Sequence, residues 1–477
     1  MSEIAERLAE LERLGLQRRL RMVSGPQGPT VLLDGSPVLL LCSNNYLGLA
    51  DHPHVRAAAA EAAMRWGVGA GASRLVSGTM TVHRRLEERL AAFKGSEACV
   101  LFGSGYLANL GVIGALAGRG DTVFSDELNH ASIVDGCRLS RAQVVVYRHA
   151  DVEHLEWSIR RHGSRRDRLA RQLIVTDSVF SMDGDVAPLQ ELVEVAQACG
   201  ARVAVDEAHA TGTLGPGGRG AVAEAGLEGQ IDAIVGTLGK ALGSYGAYVC
   251  ADAEMVRYLV NSARSLIFST APSPPAVAGA QAALELLEGS PQRVQRLQTN
   301  ARVLRRALAA EGFAVAGGEM HIVPLLVGDE HDAMRLCQEA LASGVFAQAI
   351  RPPTVPAGTS RLRLAAMASH TRADLQMAAS ALARAARRAG LDASAVGERP
   401  ATPAPAAAVE RPRAGVSTEV DHAPDAAPYD VERSRDGAPA LTAREATPHD
   451  AERDVASAPT RGAPYDGERE ASVPRAA

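Results

Sequence analysis

The chain has 477 residues, 46% of them hydrophobic and 22% charged, with a formal net charge of −5. That composition belongs to a globular protein of about three structural units and excludes wholesale disorder, a collagen-like rod or a coiled-coil rod. It contains no run of about 18 uncharged apolar residues that would span a membrane, and its charge gives no general nucleic-acid footprint.

The opening stretch, MSEIAERLAELERLGLQRRLR, carries glutamates and lacks an apolar core, so it reads as neither a signal peptide nor a good transit peptide. Leu8, Leu11, Leu14 and Leu16 lie near helical spacing and predict a short amphipathic lead helix. The six cysteines (Cys42, Cys99, Cys137, Cys199, Cys250 and Cys337) are scattered singly, without a CxxC pair. Buried reduced thiols in a cytoplasmic setting are the expectation. Strands are expected at Ala98–Phe102, Thr122–Ser125, Gln143–Tyr147, Gln172–Thr176, Arg202–Val205, Ala233–Gly236 and Ala247–Cys250. Helical stretches such as Leu107–Leu116, Asp151–Arg161 and Leu189–Ala198 lie between them. That alternation implies a mostly parallel sheet with helices on both faces. Beyond Pro274 the texture is helical to about Ala310. It then alternates again through Ile322–Val327, a helix near Asp332–Ala342, Phe346–Ile350, Leu362–Ala365 and a last helix ending near Ala389. The expected organisation is a lead segment at 1–45, a large domain at 46–285, a smaller α/β domain at 286–390 and a tail at 391–477.

The tail lacks Ile, Phe, Trp, Met, Cys and Lys and holds 11 of the 25 prolines. Too little apolar surface is available to offset its ordering entropy, so disorder is expected. It carries a degenerate repeat, at Pro428–Arg433, Pro448–Arg453 and Pro464–Arg469.

Several stretches carry chemistry. Lys240 follows an apolar strand within a Gly-rich turn, and a buried lysine amine is suited to form Schiff bases. Asp206 ends a buried strand, where open α/β sheets bind ligands, and His209 follows three residues later. A buried carboxylate there calls for a cation such as a protonated pyridine nitrogen. The turn Gly103–Gly105 with Tyr106 leads from a strand into a helix and would present backbone N–H groups to an anion. His130 follows another strand end and is placed to stack on a ring or move a proton. Ser181 sits between a strand and two acids, Asp183 and Asp185, whose spacing lacks the further carboxylates of a calcium loop.

Taken together, SNNYLGL, GAGASRLVSGT, LNHASIVDGCRLSRA, FSMDGD, VDEAHATG, GTLGKALGSYGAYV and VPAGTSRLRL resemble the α-oxoamine synthase family, in order from about residue 5 to 388. The resemblance implies a fold-type I, pyridoxal 5'-phosphate (PLP)-dependent transferase that condenses an amino acid with an acyl thioester and releases carbon dioxide. Two stretches, LNHASIVDGCRLSRA and IRPPTVPAGTSRLRL, are most similar to members that join L-alanine to a pimeloyl thioester in biotin biosynthesis. By that resemblance Lys240 would hold the cofactor as a Schiff base. Asp206 would pair with the ring nitrogen, His209 would bond the phenolic oxygen and His130 would stack on the ring. Gly105, Tyr106 and Thr237 would hold the phosphate, with Ser181 beside the ring. Thr270 would reach the phosphate of a neighbouring subunit, which makes a homodimer with a shared site. Arg363 would grip the substrate carboxylate with Asn44, with Arg361 and Arg351 as rivals, and Thr354 would touch substrate. Arg18, with Arg19 and Arg21 as alternatives, would meet the distal carboxylate of the acyl chain. The acyl donor would be a coenzyme A or carrier-protein thioester, and no metal, nucleic acid or membrane is implied. The tail lies outside the resemblance.

Overall fold

Seven strands hydrogen-bond side by side in the spatial order Ala98–Phe102, Ala247–Ala251, Ala233–Thr237, Arg202–Asp206, Gln172–Asp177, Thr122–Asp126 and Gln143–Tyr147. The computed structural model describes residues 2–163, 171–315 and 317–397. Six of these strands run in the same direction, each joined to the next along the chain by a helical crossover. Ala247–Ala251 runs antiparallel to both neighbours. Only residues 238–246 separate it from Ala233–Thr237, fewer than the dozen or so that a parallel crossover requires. The central strands are covered on both faces, so Val, Ile and Ala dominate instead of alternating with polar residues. All seven expected strands are present, five of them running one residue further than expected at their C-terminal ends; those last residues are Asp126, Asp177, Asp206, Thr237 and Ala251.

A second, antiparallel sheet orders Ile322–Gly328, Ser360–Ala365 and Gln348–Ile350. Arg361 and Arg363 are two apart on its central strand and so share a face. A third sheet takes Val23–Ser24, Thr30–Leu33, Ser36–Leu40 and Val345–Phe346. No strand was expected at 30–40. The signal is Asp34-Gly35, both at positive φ (48° and 84°), the turn pair that closes a two-residue hairpin. This hairpin delivers the chain to residues 41–46, where Ala365 N–H donates to the Leu41 carbonyl (2.6 Å) and Ala368 N–H to that of Tyr46 (2.7 Å).

The lead helix forms at Glu3–Arg13 with Ser2 as its N-cap, but buries no residue, and Leu8, Leu11 and Leu14 stay exposed. All six cysteines are free thiols. Among the described residues no helix is long and apolar enough to cross a membrane. The repeats and the tail from residue 398 lie outside the described residues.

Residues 391–397 differ from the expectation for the tail. Leu326 N–H donates to the Gly397 carbonyl (2.6 Å) and Gly397 N–H to that of Leu326 (3.2 Å), while Ala314 N–H donates to the carbonyl of Val396 (3.1 Å). Val396 is 3% exposed. One valine and a few backbone bonds suffice to order this stretch, which a composition average over 87 residues hides. A chain ended at Gly390 should therefore melt roughly 2–5 °C below one ended at Gly397, given about 1.5–3 kcal/mol for a buried valine. Calorimetry of the two chains checks this; equal melting temperatures would show the contacts to be idle.

Candidate active site

Asp126, Asp177, Asp206 and Thr237 are the last residues of adjacent or near-adjacent parallel strands, so the sheet delivers three carboxyl groups and a hydroxyl to one edge. Asp177 and Asp206 are register partners and both are buried. Burial and the neighbouring Asp206 push the Asp177 carboxyl well above the usual range. Asp206 is held by the Ala208 N–H on one oxygen (2.7 Å) and by the Asn109 amide on the other (2.7 Å).

The turn after Thr237 carries Lys240 back under the hairpin's continuation. Gly243 stands at φ +59°, and a Cβ there would fall 2.4 Å from the Ala50 backbone nitrogen. Only glycine allows the two chain segments to lie this close. Lys240 Nζ lies 2.9 Å from His209 Nε2. Burial lowers the Lys240 pKa, opposed by Asp206 and Asp177. Burial, followed by the charges of Lys240 and Arg363, drives the His209 pKa well below that of free imidazole.

His130 is the N-cap of the helix Ala131–Ser140, and its backbone N–H donates to Asp177 (2.7 Å). Its Nδ1 accepts from the Ser132 N–H (3.2 Å) and meets the Ser132 hydroxyl (2.7 Å), which also receives the Asn109 amide. Its proton therefore sits on Nε2. Desolvation lowers its pKa, against the pull of Asp206.

The three candidate carboxylate arginines separate clearly. Arg361 is ion-paired with Asp183 and bonded to the Thr359 carbonyl. Arg351 holds the carbonyls of Gly15 and Gln17. Arg363 bonds the Ser181 carbonyl, Asn44 Oδ1 (3.2 Å) and the Tyr46 hydroxyl (3.1 Å), beside His209 and Lys240. Asn44, Ser181, Arg363, His209 and Lys240 thus form one hydrogen-bonded cluster through the Tyr46 hydroxyl, and His130 is joined to Asp206 through Ser132 and Asn109.

Gly105 opens the helix Gly105–Leu116, capped by the Ser104 hydroxyl, so the first N–H groups have no intrahelical acceptor. A Cβ on Gly105 would meet nothing within 4 Å. Thr237 Oγ1 accepts from the Gly239 N–H (3.2 Å). Tyr106 directs its hydroxyl to Asp135. Thr270 is exposed on the turn bridged to Ser73, Thr354 is exposed beside Arg351, and Arg18 is exposed. Among the described residues no hydrogen bond joins Thr270, Thr354 or Arg18 to the lysine cluster.

Sequence reasoning missed several supports. Lys94 and Glu207 form a fully buried ion pair behind Asp206, with Lys94 also on the Arg219 carbonyl. His149 bridges Asp126 (3.0 Å) and Asp185 (2.6 Å), clipping the His130 loop to the Ser181 loop. Its ring meets Phe180 edge-on at 4.3 Å. These pairs lie 23 to 113 residues apart in the chain, so no local motif shows them. The two acids after Ser181 are engaged with Arg361 and His149, and among the described residues no cluster fits a metal.

The model of the family described as aminotransferase class I and II matches residues 36–382. An 8-amino-7-oxononanoate synthase of Geobacter sulfurreducens is 54% identical over 391 residues, covering 81% of this chain and 99% of that protein. One from Anaeromyxobacter dehalogenans is 52% identical, covering 79% and 94%. Among solved structures, a serine palmitoyltransferase from S. paucimobilis holding PLP and myriocin superposes with a TM-score of 0.76 at 35% identity, covering 81% of this chain and 97% of that one. An 8-amino-7-oxononanoate synthase of Francisella tularensis gives 0.63 at 26% identity, covering 74% and 99%.

The His149 clip has a definite pH signature. Hydrogen bonds and charge from the two carboxylates outweigh desolvation and raise its pKa from 6.5 to about 10. A raised folded-state value stabilises fully below the unfolded pKa and is lost as pH climbs through the folded one. Denaturant midpoints should therefore fall between about pH 6.5 and 10 more steeply in the wild type than in His149→Gln. Parallel curves for the two proteins would refute the clip.

Proposed function

The chain belongs to the class I and II aminotransferase family, and from that premise we propose that it is a PLP-dependent acyltransferase making 8-amino-7-oxononanoate for biotin biosynthesis. The substrates are L-alanine and a pimeloyl thioester, of coenzyme A or of a carrier protein. The observation that carries the reading is the likeness to 8-amino-7-oxononanoate synthases over almost their whole length, together with an intact Lys240, Asp206, His209 and His130.

The donor set fits PLP. Asp177 and Asp206 bring two buried carboxyl groups together at the sheet edge, and Asp206, whose oxygens meet only the Asn109 amide and the Ala208 N–H, suits a protonated pyridine nitrogen. Lys240 is the amine for the aldehyde. The helix N-terminus at Gly105 and Tyr106, with Thr237, suits the phosphate. PLP, when bound, supplies a conjugated ring that takes up negative charge from the amino acid's α-carbon.

The chain's own residues do the rest. Arg363 and Asn44 receive the alanine carboxylate, the guanidinium supplying paired N–H donors in a fixed fork. Arg363 is already oriented by Ser181 and Tyr46, so little is lost in ordering it. Lys240 Nζ, its pKa lowered by burial, accepts the α-proton as general base. His130 presents Nε2–H to the oxygen that gains charge when the thioester carbonyl is attacked. The new carbon–carbon bond expels the thiolate, the carboxyl group released from Arg363 departs as carbon dioxide, and the electron pair it leaves on the α-carbon takes up the proton that Lys240 holds. Thr354 flanks the substrate end of this path.

Arg18 is the residue for the far carboxylate of the pimeloyl chain. Arg21 is engaged with Asp34 (3.2 Å), and Arg351 anchors the carbonyls on either side of Leu16, fixing the segment that presents Arg18. A second copy of the chain completes the assembly, with Thr270 reaching across to its phosphate. Support comes from an exposed apolar surface at Met64, Val68, Val76 and Phe268, which are 70–89% exposed. The reaction belongs in the cytoplasm, where both thioester forms arise.

The test is turnover of the PLP-loaded enzyme with glycine, alanine and serine, each paired with acetyl-, succinyl-, pimeloyl- and palmitoyl-CoA, with products read by mass. Alanine with pimeloyl-CoA should give the largest kcat/KM; preference for serine with palmitoyl-CoA or glycine with acetyl-CoA would overturn the substrate assignment. Arg18→Ala should raise KM for pimeloyl-CoA about 10- to 150-fold, the equivalent of about 1.5–3 kcal/mol, and leave KM for alanine unchanged. In sedimentation the enzyme should run at twice the chain mass; a monomer with full activity would exclude the shared site.

A further inference from the structure

Tyr46 is completely buried, yet its hydroxyl lies where three polar groups converge. Arg363 Nη2 lies at 3.1 Å, Asn44 Oδ1 at 2.9 Å and His209 Nδ1 at 2.7 Å. A phenol has one proton to give and two lone pairs to offer. Arg363 has only protons to give, so it fills one lone pair. Asn44 Oδ1 also accepts Arg363 Nη1 (3.2 Å) and has no proton, so it takes the phenolic hydrogen. The one remaining lone pair faces His209 Nδ1, which must therefore carry the imidazole proton.

Burial and the charges of Lys240 and Arg363 hold His209 neutral, so it has only that one proton. Its Nε2 is then bare and faces Lys240 Nζ at 2.9 Å as an acceptor. His321 packs edge-on to the Tyr46 ring, with centroids 4.1 Å apart, and fixes the phenol from the other side.

We propose that Tyr46 is a positioning residue that locks His209 in the Nδ1–H tautomer, so that His209 faces the reaction site as a hydrogen-bond acceptor, and that the same hydroxyl orients Arg363 for the substrate carboxylate. The two ends of the site are thereby coupled through one oxygen atom. At Nε2 His209 accepts a hydrogen bond from whatever donor stands there, the lysine amine or a hydroxyl of the cofactor, and stays neutral. It works opposite to His130, whose Nδ1 accepts from Ser132 and whose Nε2 donates. The coupling to substrate rests on Arg363 holding the alanine carboxylate; the tautomer does not.

Neutron diffraction from deuterium-exchanged crystals of the PLP-loaded enzyme reads the proton positions without reference to turnover. Deuterium should appear on His209 Nδ1 and on the Tyr46 oxygen along the line to Asn44. Deuterium on Nε2 with Nδ1 bare would overturn the proposal and leave the substrate assignment untouched. Tyr46→Phe is the second arm. It should raise KM for alanine roughly tenfold while leaving KM for pimeloyl-CoA unchanged, because Arg363 and His209 each lose a buried partner. Equal shifts in both KM values, or none, would assign Tyr46 to packing alone. Should this variant fail to fold, the wild-type neutron map still decides.

Discussion

Everything in this site depends on placing carboxyl groups where water cannot reach them. Asp177 and Asp206 stand side by side at the ends of adjacent strands, each backed by sheet and helix. In such surroundings two ionised carboxylates repel strongly, and one is driven towards its neutral form. That form is Asp177, whose pKa is raised by both causes. Asp206 is supplied with donors by Asn109 and Ala208. The parallel sheet is what makes the arrangement affordable: the strand ends fix carboxyl positions to within a register step, and the loops are then clipped down by pairs of opposite charge. His149 between Asp126 and Asp185, Arg361 on Asp183 and Lys94 on Glu207 are three such clips.

How much of this was legible in the sequence follows from the range of each interaction. Strand positions were legible because fully buried strands are short apolar runs, and their ends coincide with acidic or hydroxyl residues. Lys240, Asp206, His209 and His130 were legible because each sits within a few residues of such an end. Arg363 could not be separated from Arg361 on periodicity, since residues two apart share a sheet face; the difference lies in Asp183, 178 residues away, which claims Arg361. Tyr46 lies within SNNYLGL but carried no role of its own, because a tyrosine beside leucines reads as core, and it is core in every respect but its hydroxyl. The hairpin at 30–40 did carry a signal, Asp34-Gly35, that composition alone does not show. Residues 391–397 were obscured by averaging with the tail.

The two histidines show how local chain geometry sets chemistry. Both are neutral ring systems close to Lys240, and both have depressed pKa values. Capping a helix gives His130 a backbone donor at Nδ1, which forces its proton outward. Facing a saturated phenol gives His209 an acceptor at Nδ1, which forces its proton inward. One histidine gives a hydrogen bond to the reacting centre and the other receives one, although residue type alone would make them equivalent.

The central claim is that Asp206 holds a positive ring nitrogen at the sheet edge. It is tested most directly by nitrogen NMR of the enzyme loaded with PLP labelled at the ring nitrogen. The account predicts a protonated nitrogen in the wild type across neutral pH and an unprotonated one in Asp206→Asn, with cofactor still bound. An unprotonated nitrogen in the wild type, or a protonated one in both, would contradict it.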